Sequence, residues 1–88
     1  MQHRTKFEIA SITILMNINQ KIGQRILSLR KAQNLSQEAL AHKSDVDRTY
    51  MTGVETGKRN VTVKVLERII LGLETDFASF FNDHQFRK

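Results

Sequence analysis

The sequence contains no cysteine and no proline, and each absence excludes a class of structure or chemistry. Without cysteine there is no disulfide framework, no thiolate zinc site and no cysteine nucleophile. The lack of thiols fits a reducing compartment, and we expect a cytoplasmic protein. Without proline, no position breaks a helix on steric grounds. The four glycines are isolated from one another, so no glycine-rich loop is present to cradle a phosphate.

Long hydrophobic runs are also missing. The longest apolar stretch, residues 9–18, is interrupted by three polar residues and is too short and too polar to span a bilayer. Basic residues precede it, as in a signal peptide, but no cleavage site of small residues follows. The three histidines are far apart and show no HExxH spacing, so we expect no metal and no cofactor. No Ser-His-Asp arrangement has motif support, and an enzyme is the class least expected.

What the chain does contain is an excess of positive charge. It has 88 residues, with 14 Lys and Arg against 9 Asp and Glu, a net charge of +5 and a pI near 10.0. A chain of this length builds one hydrophobic core. Its composition, 40% hydrophobic and 26% charged, is that of a folded globular domain. A small basic domain points to a polyanionic partner, nucleic acid first and anionic membrane second.

The hydrophobic periodicity predicts five helices and almost no strand, an all-α bundle. In the first helix, about residues 19–33, Ile22, Ile26 and Leu29 recur at the spacing of one helix face. Asn34 follows, and asparagine tolerates the left-handed conformation that ends helices.

Three later helices begin with the same signal, a polar N-cap residue between hydrophobic residues. These N-caps are Ser36, Asp47 and Thr62. We expect Gly57 and Gly72 to end the third and fourth helices as C′ residues. A short fifth helix is expected to start at Thr75 or Asp76.

Residues 1–18 are interpreted as an N-terminal arm, residues 19–83 as the folded domain and residues 84–88 as a C-terminal tail. The isoleucines of the arm alternate as in a strand, yet some of them also share one face of a helix, so both structures stay open. Met16 is an alternative translation start. Whether residues 1–15 belong to the native protein therefore stays open.

The second and third predicted helices form a recognisable unit over about residues 36–56. Two short helices joined by a turn at Asp45 make a helix-turn-helix, whose second helix can enter a major groove. Aspartate is among the few residues that accept positive φ there. The unit resembles the phage-repressor type of helix-turn-helix. The residues that carry this resemblance are LSQEALA at 35–41, then Val46, Met51, Val54, Glu55 and Gly57.

A narrower resemblance is to the controller proteins of restriction–modification systems. It is carried by DRTYMTGVE at 47–55, KRNVT at 58–62, LE at 66–67, GLE at 72–74 and FF at 80–81. It covers about residues 20–82 and implies a compact five-helix bundle of the lambda-repressor-like DNA-binding type, here with an extra N-terminal arm. The resemblance also implies that the protein binds operators upstream of its own gene and of the endonuclease gene. It would activate transcription first and repress it later, with RNA polymerase as a further partner.

The third predicted helix supplies the expected base contacts. Arg48 can donate two hydrogen bonds to guanine, and Thr49 and Thr52 offer a hydroxyl and a methyl group to base edges. The residues expected on the DNA backbone are Gln37, Tyr50, Lys58, Arg59 and Asn60. Ordinary exposed surface is the alternative for these side chains, and a place at the edge of the core is the alternative for Tyr50.

The resemblance also implies a partly buried ion pair between Arg30 and Glu55. The last two predicted helices carry more large apolar residues than a small core needs, and repressor-type domains usually bind palindromes as two-fold dimers. We therefore expect a homodimer, unless the core absorbs these side chains. The expected interface residues are Ile70, Leu73, Phe77, Phe80 and Phe81.

Two alternatives to a controller stay open. The first is a phage-type repressor or an antitoxin that represses its own operon, which the neighbouring genes would distinguish. The second, from another class, is a membrane-surface or protein-interaction module that uses residues 9–18 and the basic charge. Binding to liposomes without binding to duplex DNA would favour it.

Overall fold

The computed structural model describes residues 16–87 and contains five α-helices followed by a short 3-10 helix. The helices are α1 (Ile18–Ala32), α2 (Gln37–Lys43), α3 (Arg48–Glu55), α4 (Val63–Gly72), α5 (Phe77–Phe81) and the 3-10 helix His84–Phe86. No strand occurs within residues 16–87, so the prediction of an all-α fold is confirmed. Over the same range, no helix has the length and apolar content needed to cross a membrane. The choice between strand and helix concerns residues 1–18. Residues 1–15 lie outside the described part, whereas Asn17 is the N-cap of α1 and Ile18 its first residue.

The helix starts follow from side chains that accept hydrogen bonds from free backbone N–H groups. Ser36 Oγ and Thr62 Oγ1 each accept from the third residue of their helix, at 3.0 and 3.2 Å. Asp47 accepts from the N–H groups two and three residues further on. The sequence analysis did not identify the cap of α1, where Asn17 and Gln20 form a reciprocal capping box.

The helix ends agree with the sequence at three places and differ at one. The predicted positive φ angles occur at Asn34 (57°), Asp45 (52°) and Gly57 (76°). The prediction for Gly72 is wrong, because this residue is the last of α4 and the left-handed position is Glu74, with φ 58°. Gly72 allows close packing instead, since a Cβ there would lie 2.5 Å from Ser44 Oγ.

One hydrophobic core joins all five helices. Its buried apolar residues are Ile22, Ile26, Leu40, Ala41, Met51, Val54, Leu66, Ile69, Ile70, Leu73 and Phe80. Phe86 of the 3-10 helix packs against this core, with its ring centroid 4.9 Å from that of Phe81. The folded part therefore extends into the segment that was interpreted as a C-terminal tail.

A close approach of α1 to the C-terminal end of α3 occurs at Gly23. A Cβ on Gly23 would lie 2.5 Å from the carbonyl oxygens of both Val54 and Glu55. Backbone atoms in the middle of a packed bundle cannot move aside as a flexible side chain can. The missing side chain of Gly23 thus sets how closely α3 lies against α1.

Gly23→Ala should destabilise the protein, although alanine is the better helix former. We expect the free energy of unfolding in urea to fall by about 2 kcal/mol, because the added methyl group overpacks the contact. Ser28→Ala, on the exposed side of α1, is the matched control and should change it by less than about 0.5 kcal/mol. A Gly23→Ala variant as stable as the parent would contradict the close approach.

Candidate nucleic-acid interface

The helix-turn-helix predicted at 36–56 is present as α2, a turn and α3. In the turn, Asp45 has positive φ, and Val46 N–H donates to Ala41 O at 2.9 Å. Each helix buries one face in the core, through Leu40 and Ala41 on α2 and through Met51 and Val54 on α3. The opposite face of α3 is therefore left to solvent.

The three residues predicted to contact bases, Arg48, Thr49 and Thr52, are all exposed on α3. Arg48 Nη1 lies 3.5 Å from Glu38 Oε2 of α2, and the two side chains are 66% and 76% exposed. An ion pair so open to water contributes less than about 1 kcal/mol. Arg48 can therefore leave Glu38 at little cost when a better partner is available.

Gln37 connects α2 with the middle and the end of α3. Its Nε2 donates to Glu55 Oε1 at 3.2 Å, and its Oε1 accepts from Thr52 Oγ1 at 2.7 Å. Gln37 was predicted to contact the DNA backbone, and in the structure it is the first residue of α2 and half-buried. Its amide group carries a second N–H proton, which these two bonds do not use.

Tyr50 and the loop after α3 form one assembly. Tyr50 Oη donates to Asn60 O at 3.1 Å, and the guanidinium carbon of Arg59 lies 5.4 Å from the centroid of the Tyr50 ring, a cation–π contact. The stem of Arg59 fills the space beside Gly53, where a Cβ would lie 2.6 Å from Arg59 Cγ. Asn60 Oδ1 accepts from Asn19 Nδ2 at 2.6 Å. These contacts attach the loop to both α3 and α1.

The predicted contacts to the DNA backbone thus lie at the start of α2, on α3 and in the loop that follows. Lys58, Arg59 and Asn60 are exposed in that loop, whereas Tyr50 is half-buried. Among residues 16–87, no three His, Asp or Glu side chains come together as a metal site would require.

Arg30 and Glu55, the pair implied by the resemblance, form a two-point ion pair beneath α3. Arg30 Nε lies 2.8 Å from Glu55 Oε2, and Arg30 Nη2 lies 2.9 Å from Glu55 Oε1. The two side chains are only 12% and 4% exposed. Arg30 Nη1 also donates to Leu35 O at 2.9 Å. The pair joins α1, the loop before α2 and the end of α3.

Three of the five residues predicted at a dimer interface lie inside this chain's own core, and that part of the prediction needs correction. The three are Ile70, Leu73 and Phe80, each at most 1% exposed. They face inward because the core absorbs them, so they present no surface to a second copy. Phe81 is half-buried, Phe77 is 36% exposed, and Leu71, which the sequence analysis did not select, is 64% exposed. The exposed apolar surface here consists mainly of Leu71 and Phe77.

Arg25 is a structural residue that the sequence analysis missed. Its Nε and Nη2 donate to the carbonyl oxygens of Phe80 and Ser79 at 2.7 and 2.9 Å, and its Nη1 lies 3.1 Å from Asp83 Oδ2. These carbonyls belong to the last turn of α5, where a helix has no N–H groups left to offer. Because α5 has only five residues, it depends on such contacts for its stability.

The other end of α5 is capped by Asp76. Hydrogen bonds from the Ser79 backbone N–H and hydroxyl lower the pKa of the Asp76 carboxyl from its ordinary value of 3.8. A lowered pKa in the folded state means that the cap contributes stability above this ordinary value. That contribution is lost as the pH falls through the lowered pKa, so the cap is complete at neutral pH.

Comparisons with known proteins agree with this geometry. Residues 26–80 match the helix-turn-helix family HTH_3. Control protein C.MunI of Mycoplasma sp. is 41% identical over 68 residues, which cover 76% of this chain and 92% of that protein. This chain belongs to the family of restriction–modification controller proteins. Control protein C.BamHI of Bacillus amyloliquefaciens is 37% identical to this controller over 76 residues, 78% of this chain and 94% of that protein.

Solved structures of controllers have the same fold. C.AhdI from Aeromonas hydrophila is 41% identical, with a TM-score of 0.69, over 72% of this controller and 96% of that chain. The C.Esp1396I tetramer in complex with its natural 35-base-pair operator is 41% identical, with a TM-score of 0.71, over 75% of this controller and 87% of that chain. The predictions of the fold class and of a regulator rather than an enzyme are confirmed by these relatives.

Glu55→Ala should destabilise this controller strongly, because it leaves the Arg30 guanidinium buried without its anion. We expect the free energy of unfolding to fall by about 3 kcal/mol. The matched control is Glu38→Ala, which breaks the exposed pair with Arg48 and should cost less than about 0.5 kcal/mol. The double variant Arg30→Met, Glu55→Leu should recover part of the loss. Equal losses for Glu55→Ala and Glu38→Ala in urea unfolding would contradict a buried pair.

Proposed function

We propose that this controller binds a palindromic operator as a two-fold dimer, with α3 of each copy in the major groove. The observation that carries the proposal is the single solvent-exposed face of α3, on which Arg48, Thr49 and Thr52 lie together. Arginine is the side chain best suited to bond guanine O6 and N7 at the same time. The buried ion pair at the end of α3 supports the proposal, because it holds this face in a fixed orientation.

The proposed contacts to the DNA backbone surround this face. Lys58 and Arg59 supply positive charge from the loop after α3. Gln37 can offer its second amide proton to a phosphate without breaking its bond to Glu55. Tyr50 differs, because its hydroxyl proton must leave Asn60 O before it can meet a phosphate oxygen. Contact by Tyr50 therefore requires that its hydroxyl give up the hydrogen bond to Asn60 O.

The regulatory role follows by similarity to the family. The C.Esp1396I tetramer in complex with its 35-base-pair operator supports the binding of two dimers to adjacent sites. In this proposal, the first dimer activates transcription by contact with RNA polymerase, and further accumulation represses it. The endonuclease is then delayed until the methyltransferase has protected the DNA of a bacterial cytoplasm.

The test of DNA recognition is selection of bound duplexes from a random pool by the full chain. We expect a palindromic motif and a steep fall of affinity with salt, because each neutralised phosphate releases counterions. Arg48→Ala should cost about 1–3 kcal/mol on the selected motif and relax the preference at one base position. Lys58→Ala is the comparison and should weaken binding to selected and random DNA equally. Equal losses for Arg48→Ala on both DNAs would place Arg48 on the phosphates instead.

The dimer is proposed to form over the exposed side chains of Leu71 and Phe77. Leu71→Lys should raise the dissociation constant of the free dimer at least about tenfold, since a charge at the centre of an apolar interface must lose its water. Val63→Lys, at the other end of α4 and 74% exposed, is the matched control and should leave association unchanged. Sedimentation equilibrium without DNA measures both. Unchanged association of Leu71→Lys would exclude this surface.

A further inference from the structure

We infer that Thr52 meets DNA as a hydrogen-bond acceptor, so that the base opposite it presents an amino group, adenine N6 or cytosine N4. The inference rests on the proposed function, because it takes α3 to lie in the major groove. A threonine hydroxyl can ordinarily donate or accept and therefore suits any base. In this chain a series of internal hydrogen bonds removes that choice.

The first step is the carboxylate of Glu55. Both of its oxygens are bonded to the Arg30 guanidinium, at 2.8 and 2.9 Å, and its side chain is 4% exposed. A carboxylate held in this way accepts hydrogen bonds and has no proton to donate. Any further group in contact with its oxygens must therefore be a donor.

The second step is the orientation of the Gln37 amide. The atom of this amide that lies 3.2 Å from Glu55 Oε1 must be the NH2 group, since an oxygen there would face a carboxylate oxygen without a proton between them. The two amide atoms are otherwise hard to distinguish, and the neighbouring groups decide which is which. With its nitrogen toward Glu55, Gln37 turns its oxygen toward Thr52.

The third step is the hydroxyl proton of Thr52. Thr52 Oγ1 lies 2.7 Å from Gln37 Oε1 and 3.0 Å from Arg48 O, and both of these are acceptors. The hydroxyl has one proton, and the shorter contact with Gln37 Oε1 takes it, so the proton stays inside the protein. If the proton turned toward DNA, two oxygen atoms 2.7 Å apart would face each other with no proton between them. The exposed hydroxyl therefore offers only a lone pair to the groove.

The bases differ in what they present to a lone pair in the major groove. Guanine shows the acceptors N7 and O6, and thymine shows the acceptor O4 beside a methyl group. Adenine N6 and cytosine N4 carry the amino protons that an acceptor can use. Thr49 is a useful contrast, because its exposed hydroxyl forms no such bond within residues 16–87 and keeps both roles. Thr52 is therefore expected to favour a base with an amino group, whereas Thr49 can bond to either kind of base.

The experiment combines side-chain variants with base analogues. Selection from a random pool with the parent chain, Thr52→Val and Thr52→Ser locates the base opposite Thr52. We expect the preference at one base pair of each half-site to be lost in Thr52→Val and retained in Thr52→Ser, which keeps the acceptor; the adenine or cytosine of that pair is the base that Thr52 contacts. Replacing that base by its analogue without the amino group, purine or pyrimidin-2-one, should weaken the parent chain about three- to tenfold and leave Thr52→Val unchanged.

The contrary outcomes are distinct. An analogue that leaves the affinity of the parent chain unchanged or weakens Thr52→Val equally, or a motif unchanged in Thr52→Val, would overturn the acceptor role while the parent chain still binds its palindrome. Loss of the base-pair preference in Thr52→Ser would show that the threonine methyl group reads the pair, which also overturns it. If the parent chain selects no motif at all, the proposed function fails and this inference fails with it.

Discussion

The buried carboxylate of Glu55 is the group on which the orientation of α3 depends. It is almost completely removed from water, and its loss of hydration is offset by donors from two other helices, Arg30 of α1 and Gln37 of α2. Because these donors belong to two different helices, a rotation of α3 about its axis would strain or break these bonds. The direction in which Arg48 and Thr52 face is therefore determined by a charge beneath them, and the apolar core alone would leave that direction less fixed.

Polar side chains also fix the position of α1 relative to the other helices. Arg25 donates to the carbonyls that end α5, and Gln33 Nε2 donates to Leu73 O after α4 at 2.8 Å. Together with Arg30, these polar residues attach α1 to the ends of the other helices, where backbone oxygens lack helical partners.

These contacts also affect the charge of the surface, because Arg25 and Arg30 are paired with acidic groups inside the fold. The net charge of +5 is thus a poor guide to the positive charge that is available at the surface, where Arg48, Lys58 and Arg59 are exposed.

The sequence predicted well the features that depend on residues close together in the chain, such as N-caps and positive φ angles. An N-cap such as Asp47 bonds N–H groups two and three positions away, and the positive φ of Asp45 depends on its own short side chain. The features that it did not predict depend on distant partners. Arg25 and Asp83 are 58 positions apart, and nothing near either residue marks the pair. Likewise, the pattern showed an apolar excess near Leu73 but could not say which side chains the core would absorb, because that depends on how five helices pack.

The side chains at the two ends of the exposed face of α3 differ in conformational freedom, and in the proposed complex that difference would affect how the chain discriminates between DNA sequences. Arg48 is restrained by one exposed ion pair, so it can adapt to its target but loses side-chain entropy on binding. Thr52 is already ordered by Gln37 and loses little. A rigid group discriminates chiefly by rejection, since a base that offers the wrong polarity leaves both partners without a hydrogen bond. In the proposed complex, attraction by the mobile Arg48 and rejection by the fixed Thr52 hydroxyl would act at different base pairs, so their contributions to specificity should add rather than compete.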